Sequence, residues 1–313
     1  LAGGQAATVA QRAFLDELTA RELLIPSGVP GVYGRGEAFE AIRRALDALV
    51  DERYLDDVVP VERPAFPPLL PRKSLERIGY LANFPHLAGS VFSFSGDEEE
   101  AVELAERAER HEDWSAYQSQ TDLVLVPAAC YPAYPAVARR GPLGSAGVAL
   151  DLGGSYVFRH EPSPDPARLQ MFHQRELVRF GDPDLVQSWR DRWSEHAVGL
   201  LQGLGLDASL DVASDPFFGR GGRMLARSQR AQALKLEVAV PIGGDEPTAV
   251  ASFNCHRDHF SALYELSAET GGPVHTACVG FGLERITLAL LHHHGCDVRT
   301  WPAGVRSQLH LAA

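Results

Sequence analysis

The chain has 313 residues, 45% hydrophobic and 22% charged, enough apolar mass for one substantial core. Its 29 basic and 41 acidic side chains leave a formal charge of −12, which argues against non-specific binding to nucleic acid, an affinity built on cationic contacts with phosphate. No apolar run approaches the roughly 18 residues that span a bilayer, and the opening LAGGQAATVAQRAFLDEL lacks a signal peptide's basic and apolar blocks, so a cytoplasmic protein is expected.

Residues 1–30 are mixed in character and read as an N-terminal extension ahead of one domain over 31–313. PSGVPGVYGRG (26–36) is a Pro/Gly loop. Glu37–Val50 then carries Phe39, Ile42, Leu46 and Leu49 on one face, with Arg43, Arg44 and Asp47 off it, and predicts an amphipathic helix. The proline-rich stretch 58–71 suits an edge strand and a crossing segment. Asp97–His111 opens with acids and continues with helix formers, a solvated helix. Thr121–Val126 is a short strand, and Gly147–Leu152 and Ser155–His160 read as two consecutive strands. Asp184–Leu201 is a helix through Leu185, Trp189, Trp193 and Val198, and about 184–232 is set apart as a helical insertion. Leu234–Pro241 and Thr248–Phe253 alternate as half-buried strands, and Gly280–His292 closes the pattern as an apolar helix. Strands at hairpin spacing with few βαβ units predict an α+β fold, an antiparallel β-sheet flanked by helices.

Two stretches carry chemistry. FRHEPSPDPARLQMFHQREL (158–177) alternates charges along a strand, breaks at three prolines and resumes with more charges. A core strand does not do this; a strand pair gripping something charged would. CVGFGLERITLALL (278–291) places Gly280 and Gly282, which let backbone approach a ligand, before a helix with Arg285 in its first turn, an arrangement suited to polyphosphate. Taken singly these features have plainer readings. Gly-x-Gly also serves close packing, Arg159 and Glu161 also make a surface ion pair, and Cys130 and Cys278 also fit as buried thiols. Cys255 and Cys296 have no assigned role, and His292–His294 with Cys296 reads as a solvated helix end.

Together, Phe158-Arg159-His160-Glu161 ("fRxE") and Gly280–Arg285 ("GxGxER") resemble motifs 2 and 3 of class II aminoacyl-tRNA synthetases, in the family's order. Region 37–68 is compatible with motif 1, the dimer interface there. RLQMFHQREL is similar to the return strand of motif 2 in seryl-tRNA synthetases. The resemblance implies a class II antiparallel sheet on which Arg159 holds the α-phosphate of ATP and Arg285 the γ-phosphate, the two catalytic side chains. It implies that Glu161 meets the adenine end, Arg168 adds a phosphate contact, Phe172 stacks on adenine, and Leu169 and Ser252 line the nucleotide. In the methanogen-type seryl enzymes a Cys, the motif 2 Glu and a Cys before motif 3 bind zinc; the matching residues are Cys130, Glu176 and Cys278. Such a donor set suits Zn²⁺ with its fourth position open to the neutral α-amine of an amino acid. SFNC (252–255) resembles that family's CSNC stretch, which implies an amino-acid contact for Asn254, and Lys235 and Glu237, on a strand expected to border the site, are candidate pocket residues. Thr248 and Ala251 stand where Mg²⁺ ligands are expected, so magnesium, if held, shifts to Glu237 or Ser252.

Seryl-tRNA synthetases carry a tRNA-binding arm, and here the helix at 37–50 arrives almost at once. A synthetase core with an acidic surface and no arm resembles the amino acid:carrier-protein ligases. That resemblance implies activation of a small amino acid, glycine or alanine, to an aminoacyl-adenylate and its transfer to the phosphopantetheine thiol of an acidic carrier protein, by a homodimer that needs no tRNA. Arg220, Arg223, Arg227 and Arg230, at helical spacing, form one basic stripe behind Phe217 and Phe218, a candidate docking surface and equally a plain exposed face. Two other readings stay open: a tRNA-charging core whose arm is a separate chain, and a non-catalytic paralogue that senses or binds ligand.

Overall fold

The computed structural model describes residues 8–53, 59–244 and 246–311. The first seven residues of the expected extension, residues 54–58 of the motif 1 region and the side chain of Arg220 lie outside the described residues. Helix α1 (Val9–Ala20) opens on a Thr8/Gln11 capping box and precedes a hairpin of β1 (Leu24–Pro26) and β2 (Tyr33–Arg35). These residues do not stand apart: Phe14, Leu18, Leu23 and Leu24 are buried in the main core. Helix α2 (Glu37–Glu52) buries its apolar stripe, and Arg43 is buried with it beside Glu40, contrary to its sequence placement off the face.

Strand β3 (Val61–Glu62) follows, then β4 (Leu69–Pro71), α3 (Arg72–Arg77), α4 (Tyr80–Asn83), β5 (Ser90–Phe94), α5 (Glu98–Glu109) and β6 (Gln118–Leu125). Helix α5 buries no residue, and its start depends on a capping box in which Asp97 accepts from the Glu100 N–H. Asp97→Ala is expected to lower stability by about 1 kcal/mol, read as a shifted urea midpoint at constant slope.

A short helix α6 (Ala133–Ala138) leads to β7 (Val148–Phe158) and β8 (Met171–Gly181). The two strands expected at 147–160 are one: β7 runs through, with its register shifted between Leu152 and Ser155 where Gly153 and Gly154 intervene. Helix α7 (Pro183–Gly203) starts at an Asp182 cap. Then come β9 (Ser209–Val212), α8 (Gly219–Ala231), β10 (Lys235–Val240), β11 (Thr248–Arg257), α9 (His259–Tyr264), β12 (His275–Gly282), α10 (Leu283–His294) and α11 (Ala303–Gln308). Gly280 and Gly282 therefore belong to a strand, and the helix begins only at Leu283.

The main sheet has the order β3-β7-β8-β12-β11-β10-β9, antiparallel except for the edge pair β3–β7. Both faces are covered, which is why β8 is buried almost throughout despite its charges. On one face Leu177, Phe253, Val279 and Phe281 pack with α2, α7 and α10 through Ile42, Leu46, Trp189, Trp193 and Leu288. Helix α7, within the stretch set apart in the sequence, is thus a core layer of the fold. On the other face Phe172, Val178, Phe180 and Cys278 pack with Cys130, Tyr134, Val137 and Phe260. Strand alternation sends Phe172, Gln174 and Glu176 to this second face and His173 and Arg175 to the first. There Arg175 binds Asp47 and Asp51 of α2 and Asp151 of β7, tying that helix to the sheet.

Candidate active site and metal centre

The register of four neighbouring strands assembles the site floor. Glu176 lies opposite Gly280, Gly280 opposite Ser252, and Ser252 opposite Glu237; one step along, Cys278 lies opposite Asn254 and Asn254 opposite Lys235. Directly opposed residues share a face, so these side chains point to one side. A Cβ at 280 would sit 2.7 Å from Gln174 Nε2, so any larger residue there would displace the Gln174 amide.

Cys130, in the loop after β6, comes down on this floor. One ligand atom from each of Cys130, Glu176 and Cys278 lies within 4.8 Å of the others, and all three residues are buried. The Cys130 N–H donates to Glu176 Oε2 at 2.8 Å, fixing the carboxylate. Burial raises the Glu176 pKa and that of Cys130. Cys278 is pushed well above the thiol range by its contact with Cys130 and by burial. Two sulfurs with one carboxylate suit Zn²⁺. The donor set fits.

The cluster opens into a cavity of about 440 Å³ that also meets Arg159, Gln174, Lys235, Ser252 and Asn254. Leu225, Ser228 and Gln229 of α8 also line it, as do Phe84 and Phe217, whose rings stack at 5.1 Å. Lys235 Nζ contacts Asp215 at 2.6 Å and Glu237 at 2.9 Å. Burial alone would depress its pKa, but the two carboxylates outweigh it and the net shift is upward. Asp215 also exchanges hydrogen bonds with Gln229, which anchors α8 to the floor.

Arg159 continues from β7 and joins this cavity to a second group of residues. The Phe172 ring has the Arg159 and Arg285 guanidinium carbons each 5.9 Å from its centroid. Arg285 donates to the carbonyls of Ala167 at 2.9 Å and Ala249 at 3.0 Å. Burial, then Arg168 and Arg159, lower its pKa to about 10, so it stays cationic at neutral pH. Neither Arg159 nor Arg285 has a carboxylate within ion-pair distance among the described residues. Glu161 and Arg168 pair with each other at 2.8 Å, both partly exposed, across the base of the proline loop. Leu169 is buried under that loop, and Gln170 pins it by hydrogen bonds to Pro30 and Gly31.

Of the arginine stripe, Arg223, Arg227 and Arg230 are exposed on α8, next to exposed Phe218, Met224 and Leu225. Sequence reasoning missed Gln174, Asp215 and His256. Gln174 and His256 each stand two residues from a chosen strand residue, Glu176 and Asn254, and the period of two could have found them. Nothing local marks Asp215. His256 is neutral, its pKa driven to about 3 by burial and then His259.

The fold is that of class II aminoacyl-tRNA synthetases. It matches the structure of Methanopyrus kandleri SerRS in complex with Aquifex aeolicus tRNASec at TM-score 0.80 and 21% identity, covering 95% of this chain and 60% of that one. Cryptosporidium parvum prolyl-tRNA synthetase, complexed with halofuginone and AMPPNP, matches at TM-score 0.62 and 13% identity, covering 90% and 52%. In sequence, amino acid–acyl-carrier-protein ligases 1 and 2 of Bradyrhizobium diazoefficiens are 43% and 44% identical over 304 and 299 residues, covering 96% and 95% of this chain and 92% and 88% of their own. The type-2 serine–tRNA ligase of Methanococcus aeolicus is 25% identical over 293 residues, and the chain spans 56% of its length. No protein-family model matches. The chain belongs to the amino acid–acyl-carrier-protein ligase family.

Proposed function

We propose that this ligase activates a small amino acid, glycine or alanine, with ATP and passes it from the adenylate to the phosphopantetheine thiol of an acidic carrier protein. The observation that carries the reading is the convergence of Cys130, Glu176 and Cys278 in a cavity that Leu225, Ser228 and Gln229 of the arginine-bearing helix α8 also line. Zinc, when bound by those three residues, would hold the substrate's neutral α-amine and leave its carboxylate free. Arg159 and Arg285, cations without carboxylate partners among the described residues, are suited to the phosphate charge that develops as the carboxylate attacks, with Phe172 beside both as the adenine shelf. Glu161, Arg168 and Leu169 would frame the nucleotide. Asn254 and Lys235 border the amino acid, Lys235 held by Asp215 and Glu237. Magnesium on the phosphates would draw on Glu237 or Ser252, neighbours across the β10–β11 register. Orientation and electrostatics then supply most of the catalysis, with no side-chain base required.

The chain's homodimer would form around α2, and reduced cysteines and a carrier arm suit the cytoplasm. Amino-acid-dependent pyrophosphate–ATP exchange across the twenty amino acids, with zinc analysis of the same sample, tests the reading. Exchange with glycine or alanine and stoichiometric zinc are expected. Aminoacylation of bulk tRNA would favour the tRNA-charging alternative, and absent exchange would favour a binding paralogue.

The exposed Arg223, Arg227 and Arg230 give a second test, together with Arg220. Replacing the four by Gln should leave exchange unchanged and slow transfer to the carrier roughly tenfold, through the association rate. Equal loss of both steps would remove docking from the proposal.

A further inference from the structure

Three anionic donors exceed a divalent cation by one charge, and a negatively charged centre is a poor acceptor for a further ligand's lone pair. The protein's answer lies beside Cys278. Asn254 Nδ2 donates to Cys278 Sγ at 3.4 Å, and His256 Nε2 lies 3.6 Å from the same sulfur. Among the described residues the set of donors within 4.8 Å of one another stops at Cys130, Glu176 and Cys278, so the imidazole contacts one ligand without joining the cluster. On its other side His256 Nδ1 faces Thr276 Oγ1 at 3.2 Å and the Tyr134 hydroxyl at 3.4 Å. The ring is held edge-on against Tyr134 and Phe260.

A thiolate accepts and does not donate, whereas either hydroxyl can do both. When Cys278 holds a metal as its thiolate, the ring can engage that sulfur only as an Nε2–H donor, and a neutral ring then accepts a hydroxyl hydrogen at Nδ1. We propose that His256 is a positioning residue of the metal centre, an Nε2–H donor to the Cys278 sulfur whose ring Thr276 and Tyr134 hold at Nδ1. With Asn254 it withdraws electron density from that sulfur, which steadies the thiolate and leaves a bound cation more able to take an amine. This rests on the assignment of Cys130, Glu176 and Cys278 as metal ligands.

The test measures zinc affinity by competition with a chromophoric chelator, and the thiolate-to-metal charge-transfer band of the Co²⁺-substituted protein. His256→Phe keeps the ring and removes the donor; affinity should fall about 10- to 100-fold and the band should move. His256→Gln returns an N–H near the Nε2 position and should restore most of the affinity and the native band. Thr276→Val, almost isosteric, should shift the band in the same direction by a smaller amount. Native affinity and band in His256→Phe, or a His256→Gln protein no better than His256→Phe, overturns the assignment. Should His256→Phe fail to fold, an unchanged band in Thr276→Val overturns it alone. Wild-type protein that binds no zinc would overturn the metal reading itself, a distinguishable failure.

Discussion

Glu176→Ala is expected to lose bound zinc and amino-acid-dependent pyrophosphate exchange together, each by more than about 100-fold, since removal of a ligand should exceed the loss seen for an outer partner. The side chain has two tasks that must be separated. Its Oε2 accepts the Cys130 N–H at 2.8 Å in a fully buried setting, and an orphaned N–H there costs about 1–3 kcal/mol. Alanine therefore loosens the Cys130 loop as well as removing a donor. Glu176→Gln keeps an oxygen for that N–H and removes the charge, so its thermal midpoint should stay near that of the metal-free wild type while zinc and exchange are still lost. Metal analysis, exchange rate and thermal midpoint on the three proteins decide the matter. A Gln or Ala variant that exchanges pyrophosphate at the native rate without zinc would overturn the metal's role in activation.

The sequence made some of this legible and hid the rest for identifiable reasons. The resemblance to motif 2 named Phe172 and Glu176, and the local period of a strand puts the two, four residues apart, on one face. The convergence of Cys130, Glu176 and Cys278 was not visible in spacing; it depends on the β8–β12 register, which pairs Val178 with Cys278 across a hundred residues of chain. Only the resemblance to known motifs supplied it. The run 278–291 shows the opposite limit. A largely apolar stretch fits a doubly buried strand as well as a buried helix, and the break at Gly282 is set by packing on the sheet. Helix α7 was set apart for the same reason: Trp189 and Trp193 bury against strands β11 and β12, which lie fifty or more residues on, and nothing near 184–203 announces them. Asp215 matters through Lys235 and Gln229, a relation made only when α8 folds back over β10.

Arg285→Ala should lower pyrophosphate exchange by about 10²–10³-fold, or roughly 2.7–4 kcal/mol of transition-state stabilisation. The structure explains why so much can rest on one side chain. Arg285 is held by two backbone carbonyls and the Phe172 face, and among the described residues no carboxylate neutralises it. Its pKa, lowered to about 10 by burial and by Arg168 and Arg159, shows that the site holds this cation at a cost, a cost relieved by an anion arriving between the arginines. Because folding disfavours the charge, Arg285→Ala should not lower the thermal midpoint through lost ion pairing, and stability and activity should separate. Arg285→Lys retains the charge without the planar fork that spans Ala167 and Ala249, so it should recover only part of the rate. If the loss falls on kcat with KM for ATP little changed, the contact belongs to the transition state; a rise in KM alone would make it uniform binding. An Arg285→Ala protein that exchanges at the native rate would remove this side chain from the phosphate site, and with it the motif 3 half of the functional reading.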